Sequence, residues 1–314
     1  MGLFRRRRSS ALPPAAGGAP DPVFDGIGVD EVAWIRAQAQ AVLAGHGVEV
    51  TVDDTGTDLL GADGRRLALD NVVAACRQSP HADWQAIISH HFGTLARLSP
   101  PPTVDELTPS QLLAQIRTRI LPVGSLRHYD IDLSRYSRPV ADDLEAVLCL
   151  DFPEMVSYLD GDRAEKLDLD LLFRVGQANT DAEPLDSVDS DGSIAVVTGN
   201  SVFTSSKVLN MARLTAQVFG QDAPYGVVFA VPNRNVTIMH LISSVDAVLT
   251  IGTIAQLAGE LSADGGWPVS PNVYHWYRDR ITRISALDLP DRVTIMPSPD
   301  LTDILNHLSE RDQT

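Results

Sequence analysis

The turn Asn233–Asn235 is the most polar feature among the apolar segments of this chain. Its three side chains, Asn233, Arg234 and Asn235, come after a buried-type strand and before another, so they lie where a partner could contact them. Turn chemistry explains two of the three equally well, because asparagine tolerates the backbone conformations of a tight turn. We expect binding residues here, with turn formation as the alternative.

Three further residues, His240, His275 and Arg278, could line a pocket. His240 lies on the strand after the turn, and His275 and Arg278 flank Trp276. Two imidazoles and a guanidinium in one cleft would suit an enzyme such as a hydrolase. Core packing of His240 and aromatic packing around Trp276 are the structural alternatives. No catalytic set can be assembled from the sequence without assuming the fold.

Two sets of side chains have the types, but not the spacing, of metal ligands. His81, His90 and His91 cluster near one helix, yet adjacent histidines point about 100° apart, and zinc helices present a pair at i, i+4. Asp189 and Asp191 resemble the start of a calcium loop that lacks its final glutamate. We therefore predict helix-surface histidines and an acidic turn, with no metal.

The segment Gly199–Lys207 is the nearest approach to a phosphate loop. It has no second glycine before the lysine and no serine or threonine directly after it. A polar helix start explains this segment better than a nucleotide site, and we predict no cofactor.

The elements that position these residues centre on Gly226–Leu261. The pattern predicts a strand (226–231), a turn, a second strand (236–242) and a helix (246–261) with one apolar face. Both strands are apolar on both faces, which is typical of central strands covered on each side. The later run Trp267–Trp276 is interrupted by prolines, and we expect an irregular segment across the core.

The rest of the chain divides at the linker Ser99–Pro102. We predict a disordered basic tail (1–22), a small α+β unit (25–98) with a strand hairpin between helices, and a larger α/β domain (103–311). In the larger domain a capping box at Thr108 opens a helix that we expect to continue to Leu121. The fold class is therefore α/β or α+β, with a mixed sheet, flanking helices and the small N-terminal unit.

Charge and composition limit the possible partners. The 314 residues carry a net charge of −16, and residues 141–191 alone contain fifteen Asp and Glu against three basic residues. Such a surface repels phosphate backbones, so we expect no nucleic-acid binding by the folded domain. The acidity either serves solubility or forms a docking face for a basic protein partner. Arg5–Arg8 could make weak contact with anionic lipid.

The chain has no apolar run of the roughly 20 residues that a membrane span needs, and no signal-peptide pattern. Its two cysteines, Cys76 and Cys149, lie in apolar contexts, and we favour buried thiols over a disulfide. These features indicate a cytoplasmic protein.

The second half, about 130–260, resembles the YtpQ-like family of uncharacterised bacterial proteins. The resemblance lies in the strand 147–151, the helix 169–179, the helix start 203–209 and the motif Ala-Val-Pro-Asn-Arg-Asn (230–235) before a strand. The family tends to have aspartate where Asn235 stands. The resemblance implies a cytoplasmic α/β protein and supplies no activity or catalytic residues.

The function we expect is that of a non-enzymatic cytosolic protein-interaction module with an acidic face. The alternative is an enzyme with a pocket near His240, His275 and Arg278.

Overall fold

The protein is an α+β molecule with helices flanking its sheets, which confirms the predicted class. The central sheet was expected to be mixed, but all its described strand pairings are antiparallel. A computed structural model describes residues 18–24, 26–62, 65–97, 102, 104–126, 133, 135–153, 155–159, 168–191, 193–264, 267–288 and 292–312. The predicted basic tail falls mostly outside these residues. The chain divides into two compact units, Met1–Pro100 and Pro101–Thr314, each with its own core.

The N-terminal unit packs three helices and a small sheet around one apolar core. Its elements are α1 (Val29–Gly45), β1 (Val50–Val52), β2 (Asp58–Gly61), β3 (Arg66–Ala68), α2 (Asp70–Arg77), a 3-10 turn (His81–Asp83) and α3 (Trp84–Arg97). The strands pair in the antiparallel order β1-β2-β3. The predicted hairpin is thus a three-stranded sheet, because Leu59 and Leu60 add a strand where only turn residues were expected. Leu59 is fully buried in the core with Ile35 and Phe92.

Among the described residues, the C-terminal unit has three antiparallel sheets: a larger sheet of six strands, a smaller sheet of four strands and a separate two-stranded hairpin. Its first elements are α4 (Pro109–Gln115), β4 (Ile116–Pro122), β5 (Ser137–Ala141), β6 (Leu144–Phe152), β7 (Met155–Tyr158), α5 (Leu169–Ala182), β8 (Ser187–Ser190) and β9 (Ala195–Thr198). A 3-10 helix (Thr204–Asn210) leads into α6 (Met211–Phe219). The remaining elements are β10 (Val227–Asn233), β11 (Val236–Leu241), α7 (Ala247–Asp264), β12 (Val273–Tyr277), β13 (Arg280–Arg283), β14 (Ser285–Asp288), β15 (Arg292–Ile295) and α8 (Pro299–Asp312).

The hairpin β10–β11 lies at the centre of the larger sheet, whose order is β13-β12-β10-β11-β9-β8. Every residue of β10 is buried, as its apolar sequence on both faces predicts. One face, with Val228 and Ala230, packs against α7 and α8, and the other, with Phe229 and Val231, packs against α6. The organising strands and helix predicted from the sequence are therefore present.

Two segments differ from the prediction. The helix that begins at the Thr108 capping box ends at Gln115, and β4 replaces its expected second half. Residues 116–120 alternate between apolar or Thr side chains and arginines, a period-two pattern, and β4 pairs along its full length with β6. The end of the expected irregular segment is β12, which pairs with β10 from Val273 to Trp276.

The smaller sheet has the order β4-β6-β5, with β7 also paired to β6. Among the described residues no helix is long and apolar enough to cross a membrane. Both cysteines are buried, as predicted, and neither is in a disulfide.

Candidate functional site

The turn between β10 and β11 is less exposed than its polar sequence indicates. Asn233 is 7% exposed, and its Oδ1 accepts the backbone N–H of Asn235 at 3.0 Å. Asn235 donates from Nδ2 to the carbonyls of Gly199 and Ser201 at 2.7 and 3.3 Å. Both asparagines thus hold the turn against its surroundings, which supports the structural alternative for these two residues.

Arg234 is the residue of this turn whose side chain is available for chemistry. Its guanidinium lies over the ring of Trp267, with the central carbon 3.3 Å from the ring centroid. Its Nε donates to Asn235 Oδ1 at 3.3 Å. Stacking on an aromatic face leaves the edge of the guanidinium, with its remaining N–H groups, to face a ligand.

A second guanidinium, that of Arg119 on β4, lies within electrostatic reach of Arg234. Arg119 Nη1 donates to the hydroxyl of Tyr158 at 2.6 Å, and its guanidinium also lies 5.8 Å from the centroid of that ring. Arg119 and Arg234 are both half-buried. We call these two residues the arginine pair.

The arginine pair differs from its neighbour Arg117 in its partners. Arg117, two residues earlier on the same face of β4, contacts Glu183 at 3.1 Å and Asp151 at 3.6 Å. Within the described residues, neither member of the pair has a carboxylate within salt-bridge distance. A half-buried charge is normally compensated by an opposite one, so the part of the chain that the structure describes offers the two like charges of the pair no acidic partner.

Burial and this neighbouring charge lower the pKa of Arg234 to about 10. Burial raises the pKa of Tyr158, while Arg119 and Arg234 oppose that rise. The lowered pKa of Arg234 has the sign expected of restricted access to water and of a nearby positive charge, and the raised pKa of Tyr158 has the sign expected of restricted access to water. An anion placed between the guanidinium groups would compensate that charge.

Two consecutive serines position the pair. The backbone N–H of Ser205 donates to the carbonyl of Arg234 at 3.0 Å, and Ser206 Oγ accepts the N–H of Ile120 at 3.0 Å. Both serines are almost fully buried at the start of the 3-10 helix. This helix therefore connects the turn to β4 next to Arg119, so the backbone segments that carry the two guanidinium groups are joined by hydrogen bonds.

Cys149 lies on the same face of the smaller sheet, where it pairs with Arg117 on one side and Tyr158 on the other. It is fully buried, and burial raises the pKa of its thiol to about 12 despite the arginines nearby. A thiol with that pKa stays protonated at neutral pH and is a poor nucleophile.

The structure places the other predicted residues apart from the arginine pair and from each other. His240 and His275 both lie opposite Val228 on β10, one on each side, so the side chain of Val228 separates them. His240 Nδ1 donates to the carbonyl of Ser193 at 2.5 Å, and His275 Nε2 donates to the carbonyl of Tyr225 at 3.2 Å. The two imidazoles thus serve different backbone carbonyls.

Arg278 lies in the turn between β12 and β13, with its guanidinium 4.8 Å from the centroid of the Tyr277 ring. Burial lowers the pKa of His275, opposed by its bond to Tyr225. His240 Nε2 is buried and has no hydrogen-bond partner among the described residues.

The acidic segment 141–191 is not one uniform face. Several of its carboxylates have local structural roles: Asp151 and Glu183 neutralise Arg117, and Asp168 caps α5. Asp181 accepts hydrogen bonds from Gln177 and Asn210. The exposed carboxylates that the structure describes in this segment are spread along it, at Asp142, Asp168, Asp170, Asp186, Asp189 and Asp191, and the last two lie at and after the edge strand β8. Hydrogen bonds from Ile194 and Ser193 lower the pKa of Asp191 to about 2.

Sequence reasoning included Arg234 and missed Arg119. The two are far apart along the chain, and Arg119 was assigned to a helix whose surface arginines are usually solvated. Alternation of arginines with Ile and Thr at 116–120 was the available signal, since it places two guanidinium groups on one strand face. No group of three or more His, Cys, Asp or Glu that could hold a metal occurs within the described ranges.

The chain matches no protein-family model, no curated protein and no solved structure. Its resemblance to the YtpQ-like family stays a prediction.

Proposed function

We propose that this chain is a non-enzymatic, cytoplasmic protein-interaction module that binds an anionic group of a partner protein at the arginine pair. The observation that carries the proposal is the pairing of two half-buried guanidinium groups, Arg119 and Arg234, with no acidic partner among the described residues. The anion recognised is a carboxylate or a phosphate group on the partner.

The chemistry of guanidinium supports this ligand class. Arginine binds carboxylates and phosphates through two parallel N–H···O bonds, and such charge-assisted bonds are about twice as strong as neutral ones. Tyr158 adds a hydroxyl beside Arg119, and Trp267 holds Arg234 flat. A partly desolvated site strengthens each of these contacts relative to an exposed arginine.

A basic partner at the acidic segment is the second candidate. It is favoured by the exposed Asp189 and by Val188, 42% exposed, on β8, the strand at the edge of the larger sheet. An extended basic segment could pair with such an edge and place its cations near the carboxylates. We retain the expectation that the folded domain does not bind nucleic acid. Arg5–Arg8, the candidate lipid contact, lie outside the described residues.

The enzyme alternative has less geometric support, because Val228 stands between His240 and His275. A hydrolase at this position would need both imidazoles to reach one substrate atom.

The test is affinity capture from a lysate of the source cell with three immobilised proteins: the wild type, Arg234→Gln and Arg278→Gln. The control Arg278 also lies against an aromatic ring, but it is exposed, whereas Arg234 is half-buried. We expect a partner that binds the wild type and Arg278→Gln and is lost from Arg234→Gln.

A partner retained by Arg234→Gln would contradict the proposal. A further variant, Asp189→Asn with Asp191→Asn, then decides whether the acidic edge binds it. Loss of binding only in Arg278→Gln would favour the enzyme alternative.

A further inference from the structure

The turn between β5 and β6 carries a carboxylate, Asp143, that the proposed function does not use. Three side chains at the start of β12 and just before it donate to one of its oxygens, Oδ2: the Tyr274 hydroxyl at 2.7 Å, Asn272 Nδ2 at 2.8 Å and Ser270 Oγ at 3.1 Å. Burial, together with the nearby Asp143 carboxylate, raises the pKa of Tyr274, so its hydroxyl keeps the proton that it donates. Oδ2 is therefore fully used as an acceptor.

The other oxygen of this carboxylate, Oδ1, is buried and has no hydrogen-bond partner among the described residues. The same is true of Oδ1 of Asn272, a residue that is only 8% exposed. Because Asn272 donates to Asp143 through Nδ2, the orientation of its amide is fixed and Oδ1 is the acceptor left over. We call these two atoms the orphan oxygens. Buried polar atoms are almost always hydrogen-bonded in native proteins, and an exception points to a bound water molecule or ion.

The orphan oxygens lie on adjoining groups. Each is bonded to the same carbon as one atom of the 2.8 Å hydrogen bond between Asn272 and Asp143. Backbone hydrogen bonds also hold the two segments: the N–H of Val123 donates to the carbonyl of Asp143 at 2.9 Å, and the N–H of Ser270 donates to the carbonyl of Val231 at 3.0 Å. Both oxygens are thus positioned before any ligand binds.

The charge around Asp143 favours a cation over a neutral ligand. In the part of the chain that the structure describes, no basic side chain lies within salt-bridge distance of Asp143, and the nearby Arg283 contacts Asp142 instead, at 3.8 Å. The turn therefore carries two carboxylates against one guanidinium. Carboxylate and amide carbonyl oxygens are ligands that hard cations prefer. Ca²⁺ accepts both kinds together with water in a flexible geometry, whereas Mg²⁺ demands a near-ideal octahedron.

We propose that Asp143 Oδ1 and Asn272 Oδ1 bind one calcium ion, with water completing its coordination. The ion joins the turn between β5 and β6 to the segment before β12. Only one of the two protein ligands is charged, and the described ranges hold no group of three or more His, Cys, Asp or Glu that could bind a metal. We therefore expect a weak site, with a dissociation constant of about 0.1–1 mM.

The test is a calorimetric titration of the full chain with CaCl₂, in about 0.15 M NaCl to screen unspecific attraction to the acidic chain. We expect one saturable site, and binding of MgCl₂ at least about tenfold weaker. The side-chain amide resonances of Asn272 should shift with the same dissociation constant for calcium. No saturable binding would overturn the proposal and leave a buried water as the partner of the orphan oxygens. Equal affinity for the two metals would also overturn it.

Variants localise the ion. Asp143→Asn should weaken calcium binding at least about tenfold, whereas Asp142→Asn, which removes the same charge from the exposed neighbour, should change it less than about threefold. If circular dichroism shows that Asp143→Asn does not fold, Asn272→Ala, which keeps the carboxylate, decides: an unchanged dissociation constant in that variant overturns the proposal. Binding that disappears in the double variant Asp189→Asn with Asp191→Asn would place the ion at the acidic turn and would overturn it as well.

Discussion

Arg117 and Arg119 show, two residues apart on one strand, what decides whether an arginine is structural. Arg117 has two carboxylates within 3.6 Å and also donates to the carbonyls of Ala114 and Ile116. Arg119 has a phenol and, nearby, a second guanidinium. The charge of Arg117 is already neutralised without a ligand. An anion that binds beside Arg119 would neutralise positive charge there and so stabilise the second arrangement.

Each thiol tests the polarity of its own surroundings, Cys149 beside Arg117 on the smaller sheet and Cys76 in the core of the N-terminal unit. Burial raises the pKa of Cys76 and of Cys149 to about 12, so at pH 8 roughly one thiol in ten thousand is ionised. We expect iodoacetamide to label neither cysteine in the native protein and both after unfolding in urea, as measured by mass spectrometry. A Cys76→Ala variant isolates the signal of Cys149.

The same shift predicts a pH dependence of stability. A thiol whose folded pKa is raised stabilises the fold below its unfolded pKa, near 9, and this contribution is lost as the pH rises toward 12. Native labelling of Cys149 at the rate of an exposed thiol would show that the arginines, and not burial, control its pKa.

At the scale of elements, the apolar pattern of β10, β11 and α7 predicted the centre of the fold correctly. The pattern could not predict β4, because the strong capping box at Thr108 favours a helix and the helix does form, for seven residues. Pairing with β6 then outweighs helix propensity. Arg119 lies on β4. Because this segment was predicted as a helix, the sequence indicated only one of the two residues of the arginine pair.

Packing of α5 on β4 gives the element-scale prediction. A Cβ at Gly176 would lie 3.1 Å from the backbone carbon of Arg117, whereas a Cβ at Gly252, exposed on α7, meets nothing within 4 Å. Gly176→Ala should therefore lower the free energy of unfolding by about 1–2 kcal/mol, because α5 must move away from β4. Gly252→Ala should raise it by about 0.5–1 kcal/mol.

Urea unfolding of both variants measures the difference. Equal stabilisation by the two alanines would mean that α5 does not contact the backbone of β4 closely enough to fix Arg117 and Arg119.

At the scale of the whole molecule, an anion site on a chain with a net charge of −16 has a kinetic consequence. An acidic partner is repelled at long range and attracted only at the arginine pair. Salt shortens the reach of the repulsion to about 10 Å at 0.1 M. We therefore expect the association rate constant of the acidic partner to rise with salt, measured by stopped flow between about 0.01 and 0.15 M.

A basic partner docked on the acidic segment would show the opposite dependence, because salt would screen an attraction. A rate constant that falls with salt would thus favour the second candidate.

The sequence alone predicted the fold class and most helices, since these follow from local periodicity and capping. It predicted Arg234 as a binding residue from its polar surroundings. It could not predict the arginine pair or the contact of Asn272 with Asp143, because both bring together side chains from distant parts of the chain. The turn asparagines were expected to be accessible, yet both amides make hydrogen bonds within the protein. Asn235 Nδ2 donates to the carbonyls of Gly199 and Ser201, and Asn233 Oδ1 accepts the backbone N–H of Asn235.

The most direct test of the central claim is a titration of the full chain with inorganic phosphate, followed through the side-chain Nε–H resonances of its arginines. We expect the signals of Arg119 and Arg234 to move together and to saturate. Those of Arg117, already paired with carboxylates, and of exposed Arg278 should stay in place. Equal shifts at all four residues, or no shift at Arg119 and Arg234, would contradict an anion site at the arginine pair.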